Sequence, residues 1–197
     1  MYRMSLITLS PAYVPLLQKP HFCAAACIQM IMYRNGFGLH DQEEIAIALG
    51  VSVSSENSSA FSSRVNIGSA GSLGMSTINS SKKINEVFQK FGASLIASPF
   101  RSSEIVNFSD FISGCLAENR DVWVEYHAHG IHGDDKMYGR YMHDGLIEFT
   151  DSSSGMACLI DPMPNHRQRI MVDLLTLGNA LSAQLGAEGG AVVVSRR

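Results

Sequence analysis

Apolar and polar positions repeat with two different periods along the chain, and the change of period organises it. Cys23–Arg34 (Cys-Ala-Ala-Ala-Cys-Ile-Gln-Met-Ile-Met-Tyr-Arg) holds good helix formers and is apolar nearly all round. This predicts a buried helix stopped by Asn35-Gly36, with Met30 and Met32 in the core. His40-Asp41-Gln-Glu-Glu44 opens a second helix, with Asp41 as N-cap, Glu44 spaced as in a capping box, and Gly50 at the end. Ile84, Val87, Phe88 and Phe91 fall at helical spacing over Lys82–Phe91. Phe108, Phe111, Ile112 and Leu116 do the same in a helix capped by Ser103 or Ser109. Strand signals follow at 93–97, 121–126, 145–149, 156–160 and 189–194, with a further helix, or two short ones, from Ile170 to Ala183. Pro11 and Pro15 keep residues 5–17 extended. Helices first and mostly sequential strands later predict an α+β fold, an N-terminal helical layer packed on a C-terminal antiparallel sheet.

Two stretches lie outside this pattern. Residues 52–81 are a Ser/Gly-rich loop, but Phe61, Val65, Ile67 and Leu73 make it too apolar for a linker, so 1–197 reads as a single domain. Residues 127–142 are a His-rich insertion. With 46% apolar and 17% charged residues the chain is neither disordered nor a coiled coil. A net charge of −3 supplies no basic field for nucleic acid or an anionic membrane. No window approaches the ~20 apolar residues of a membrane span. The N-terminus carries one basic residue and no small-residue cleavage site, so a secretory signal is not expected and a cytoplasmic, reducing location is. The four cysteines are too sparse for a disulfide scaffold and are expected as free thiols, with Cys27, Cys115 and Cys158 in the core. The sequence leaves the oligomeric state open.

The candidate chemistry begins at Gln18-Lys-Pro-His-Phe-Cys23, where an extended segment delivers a cysteine to the first turn of an apolar helix. Unpaired backbone N–H groups and the helix dipole favour a thiolate there. A nucleophilic cysteine also needs a base and a group that orients the base. His143, before the 145–149 strand, and Asp161, after the 156–160 strand, come together if those strands form a hairpin. Asp151 is an alternative third member, although its Ser-Ser-Ser-Gly turn accounts for it. Gln18 is placed to donate its amide to an oxyanion beside the Cys23 backbone N–H. The bland readings are a buried structural thiol, a surface histidine and an Asp-Pro turn.

These residues resemble the papain-like cysteine peptidases, and among them the bacteriocin-processing (double-glycine-leader) peptidases. That branch reads Gln, a short gap, then Cys-Gly-Pro-Ala-Cys-Leu-x-Met-Val-Leu-x-Tyr-Tyr-Gly. The chain reads Cys23-Ala-Ala-Ala-Cys27-Ile-Gln-Met30-Ile-Met-Tyr33-Arg-Asn-Gly36, then Gln42-Glu43-Glu44-Ile45-Ala46 through Leu49-Gly50 where the family has Gln-Glu-Glu-Leu-Ala and Leu-Gly. His143–Phe149 and Leu159-Ile160-Asp161-Pro162 match its later strands. The resemblance spans roughly residues 13–194 without the Ser-rich loop. It implies a cofactor-free hydrolysis of a peptide or related amide bond, with Cys23 as nucleophile, His143 as base, Asp161 as orienting acid and Gln18 as oxyanion donor. Acyl transfer to an amine uses the same constellation. The chain departs from the pattern in Ala24-Ala25, which stand for Gly-Pro, and in Gln18, five residues before Cys23 rather than six. A catalytically silent papain-like binding module is therefore an alternative.

The other alternative is metal chemistry. His127, His129 and His132 follow a strand in a His-x-His-x-x-His order that looks like the metallo-β-lactamase-like motif, and imidazole suits zinc, copper or nickel. Ile131 stands where that motif has Asp, so one ligand of a second metal is missing.

Overall fold

The computed structural model describes residues 6–69, 73–133, 141–164, 166–182 and 187–197. Helix α1 (Cys23–Arg34) is buried along almost its whole length and ends at Asn35. Helix α2 (Gln42–Leu49) starts at Asp41, whose carboxylate accepts the Glu43 and Glu44 N–H groups, and stops at the left-handed Gly50 (φ 74°). Glu44 does not close a capping box; it pairs with Arg64 instead. Helix α3 (Ser81–Lys90) buries Ile84, Val87 and Phe88. No helix among the described residues is long and apolar enough to cross a membrane.

Among the described residues the main sheet is antiparallel and seven-stranded. Its order is β4 (Leu95–Arg101), β9 (Gly190–Arg196), β5 (Asp121–His127), β6 (Met142–Asp151), β7 (Met156–Ile160), β8 (Arg169–Asp173). Strand β1 (Leu6–Thr8) pairs with the far end of β6, so the lead-in is partly a strand where only an extended segment was expected. The strands are not simply sequential: β9, last in the chain, lies between β4 and β5. Its entry shows why Gly189-Gly190 stands there. A Cβ on Gly189 would sit 2.1 Å from the Glu125 carbonyl, and one on Gly190 2.2 Å from that of Phe100. Pro99 is tolerated in β4 because that strand is an edge. Helix α1 packs on β6 and α2, and α3 on β4. Helix α4 (Phe108–Ala117) packs on β1, β5 and β6. The fold is α+β.

Several boundaries differ from the sequence reading. Residues 169–173 are strand β8, and among the described residues the helix expected from Ile170 is α6 (Leu174–Ala180), capped by Asp173 through the Thr176 N–H; Ala183 lies outside the described residues. Pairing with β7 overrides local helix propensity here. Asn107, not Ser103 or Ser109, caps α4; Ser102–Glu104 is a separate 3-10 turn. The serine-rich stretch is structured in part. The short pair β2 (Ser52–Val53) and β3 (Asn66–Ile67) and two 3-10 turns cross it, and Val53, Val65 and Ile78 are buried. The His-rich stretch begins in β5 and continues into the short helix α5 (Ala128–His132). Its later residues, including Asp134 and Asp135, lie outside the described residues.

Candidate active site

A tight turn presents Cys23. The Phe22 N–H donates to the Lys19 carbonyl (3.0 Å), His21 takes a left-handed conformation (φ 64°), and Phe22 is fully buried against Phe61. Cys23 is then the first residue of α1, half-buried, and the Phe22 side chain gives the helix no cap. Gln42, inherited from the Gln-Glu-Glu stretch, pins the lead-in. Its amide donates to the Leu17 carbonyl (2.7 Å) and accepts the Lys19 N–H (3.1 Å). Between these anchors the Gln18 N–H donates to the Pro162 carbonyl (2.8 Å), which ties the lead-in to the end of β7. The Gln18 side-chain Oε1 is buried without a hydrogen-bond partner among the described residues.

His143 lies inside β6 rather than ahead of it, paired with Tyr126 of β5. Its Nε2 is 2.9 Å from Asp161 Oδ1. Asp161 is fully buried and accepts the Met163 N–H at 2.8 Å on the same oxygen. His132 Nε2 lies 3.2 Å from the other oxygen, Oδ2, and 3.4 Å from the Tyr126 hydroxyl. The Tyr126 ring meets the His143 ring edge-on, with centroids 5.6 Å apart. Asp161 is thus held by two imidazoles and a backbone amide. Asp151 instead accepts from Ser153 and Ser154 in its turn.

The Cys23 thiol meets a different group. Its Sγ donates to Asp144 Oδ2 at 3.2 Å. Asp144 Oδ1 accepts from Trp123 Nε1 and from Thr77 Oγ1, both at 2.8 Å. Residues 143 and 144 are consecutive in a strand, so their side chains leave on opposite faces. The register agrees: Asp144 shares a face with Glu125 and Trp123, and His143 shares one with Tyr126. Burial and the neighbouring Asp144 push the Cys23 thiol well up, against the pull of the Ala24 and Asp144 backbone N–H groups. Burial raises Asp144 as well, while burial and Asp144 push Glu125 up to about 7. Cys27, one turn along α1, is buried and its thiol is raised by burial and by Asp144.

The three histidines of the metal alternative do not converge. His127 Nε2 is 2.7 Å from the Ala187 carbonyl, His129 Nδ1 is 2.9 Å from that of Gly133, and His132 serves Asp161. Among the described residues no group of three or more His, Cys, Asp or Glu side chains is arranged to hold a metal ion.

Asp144, Glu125, Thr77 and Trp123 escape a search for histidines and cysteines, as does the role of His132 on Asp161. The available signal is parity. Glu125 in the alternating 121–126 run, and Asp144 beside it across the hairpin, are charged residues inside buried strands.

No protein-family model and no curated protein matches the sequence. The fold does have solved counterparts. One is the crystal structure of a Bacillus anthracis protein described as a C39-like peptidase, which superposes with a TM-score of 0.60 at 13% identity, over 98% of each chain. At that identity the likeness is one of fold, and the chain has the fold of that C39-like peptidase.

Proposed function

We propose that the chain is a cysteine peptidase-type hydrolase of papain-like architecture that cleaves a peptide or related amide bond through an acyl-thioester on Cys23. The observation that carries this reading is the buried His143–Asp161 pair at 2.9 Å, one residue along β6 from the carboxylate that Cys23 touches at the head of α1. The C39-like fold and the Cys23–Gly50 pattern support it from outside the site.

In this mechanism Asp161 occupies Nε2 of His143 and orients the ring, so Nδ1 is the nitrogen that takes the thiol proton. The sulfur attacks the carbonyl, and the resulting oxyanion is met by N–H groups at the start of α1 and by the Gln18 amide. The imidazolium returns its proton to the leaving amine. Water, deprotonated by the same ring, then releases the acyl group. Because His143 leaves β6 on the face opposite Asp144, the reading requires the thiol to leave Asp144 and the His143 ring to turn toward α1, so that Sγ meets Nδ1. The test is incubation with a peptide library followed by mass spectrometry. Cleavage that disappears in Cys23→Ala and His143→Ala is expected; cleavage that survives in Cys23→Ala contradicts the reading.

A papain-like binding module without turnover is the second reading. It is favoured by the carboxylate at Sγ, which opposes the thiolate that catalysis needs. Peptide binding without any cleavage identifies it.

A further inference from the structure

Glu125 and Asp144 sit opposite each other in the β5–β6 register, 3% and 2% exposed. Among the described residues neither is in an ion pair with Lys or Arg. Glu125 Oε2 accepts the Ile78 N–H (3.0 Å) and lies 3.4 Å from Ser76 Oγ. Asp144 is fixed by Trp123 and Thr77 on one oxygen, which leaves the other for Cys23. The other titratable groups around the pair are Cys23 and Cys27 from α1, His143 from β6 itself and, through Cys27, Asp161 beyond β7. Buried carboxylates without cations are costly to keep ionised, and proteins retain them where proton traffic is used.

We propose that Asp144 is a latch on Cys23: its carboxylate, pinned by Trp123 and Thr77 and backed by Glu125, holds the thiol in its protonated, hydrogen-bonded form and sets how much of it becomes thiolate. The argument is geometric. Deprotonating Sγ where it stands puts an anion 3.2 Å from a buried carboxylate, so thiol and carboxyl compete for one proton. Their titrations are coupled, and each group's departure from its ordinary range follows from that competition and from burial. Asp144 touches the sulfur and neutral donors, so it acts as a positioning residue. The role goes beyond the hydrolase reading, because it concerns the resting state of the sulfur whichever reaction follows.

Coupling of this kind has a kinetic signature. In alkylation by iodoacetamide the thiolate attacks carbon, iodide leaves, and the rate follows the thiolate fraction. While the carboxyl is protonated the logarithm of the rate climbs with pH. Over the range where the carboxyl has lost its proton and the thiol keeps its own, the thiolate exists only as the pair with the proton on the carboxyl, and the rate is flat. It climbs again when the second proton leaves. The experiment is the pH–rate profile of Cys23, followed peptide by peptide by mass spectrometry so that Cys27, Cys115 and Cys158 are read separately.

The expected wild-type profile has a shoulder. Asp144→Asn, which keeps an acceptor for Trp123 and Thr77, is expected to remove the shoulder and to alkylate at least tenfold faster at pH 7. Glu125→Gln leaves the sulfur contact intact and is expected to move the alkaline end of the shoulder to lower pH, because an anion near the thiolate is removed. A single-step profile in both the wild type and Glu125→Gln overturns the latch, whether or not Asp144→Asn folds. So does a folded Asp144→Asn that reacts at the wild-type rate or slower; slower reaction would make Asp144 a promoter of the thiolate. Amide cleavage is not the readout. A failed latch therefore leaves the hydrolase reading standing, and a chain without peptidase activity still reports on the latch.

Discussion

The two faces of β6 handle buried charge in opposite ways. On the His143 face the carboxylate of Asp161 is surrounded by complementary donors, the imidazoles of His143 and His132 and the Met163 amide. On the Asp144 face two carboxyl groups face each other, with neutral donors and a thiol around them. The carboxyl groups on both sides are buried, so their own exposure does not separate them. Charge pairing does. The first arrangement fixes an imidazole in one tautomer and orientation; the second leaves protons loosely assigned beside a sulfur. The Arg34–Asp121 pair gives the scale for the paired case. It lies at 3.0 Å, is almost fully buried, and its carboxylate is also bonded to Tyr13 and Asn35. The buried carboxylates of Asp121 and Glu148 are each given an arginine, and Asp144 is not.

Four substitutions break or sharpen this contrast. The largest effect is expected from His143→Ala, which removes the base: peptide cleavage should fall by about 10²–10⁴-fold with the fold retained, checked by steady-state assay beside circular dichroism. Asp161→Ala removes the acceptor that two imidazoles and an amide share. Unfolding in denaturant should show a loss of about 3–5 kcal/mol, as when one partner of a buried pair is deleted. His132→Ala takes away one of those two donors. A loss of about 1–3 kcal/mol is expected by the same assay.

Glu125→Gln has the smallest effect, and it depends on pH. The folded-state value of Glu125 is about 7 against an ordinary 4.5, so the folded chain keeps this proton longer than the unfolded chain does. Its contribution is fully present below about 4.5 and is lost as pH rises through 7. Thermal midpoints measured across that window should fall more steeply in the wild type than in Glu125→Gln; parallel curves would remove the unpaired carboxyl from the account.

Much of the fold was legible in the sequence where the signal is local. The Asp41 cap, the α3 stripe, the Asn35 and Gly50 stops and the β5, β7 and β9 runs follow from neighbours in sequence. Strands β1 and β8 are decided by pairing with β6 and β7, and the insertion of β9 between β4 and β5 is non-local; no window of residues carries that information. The site divides the same way. The hairpin of β6 and β7 brings His143 to Asp161, which a strand–turn–strand reading anticipates. A strand that starts only at Gly145 places His143 in a connection with no face assigned. Because β6 begins at Met142, parity governs residues 143 and 144, and it sends Asp144 rather than His143 to the sulfur. The His-x-His-x-x-His order suggested metal because spacing alone does not tell where each ring points. The turn of α5 sends the three rings to three acceptors.

The central claim, that Cys23 is a nucleophile served by the His143 imidazole, is tested most directly by a peptide vinyl sulfone, which captures a thiolate in a substrate-like pose. The account predicts one adduct per chain, on Cys23, formed at least a hundredfold more slowly in His143→Ala while iodoacetamide still reaches the sulfur. Labelling of Cys23 at equal rates with and without the His143 ring would contradict it.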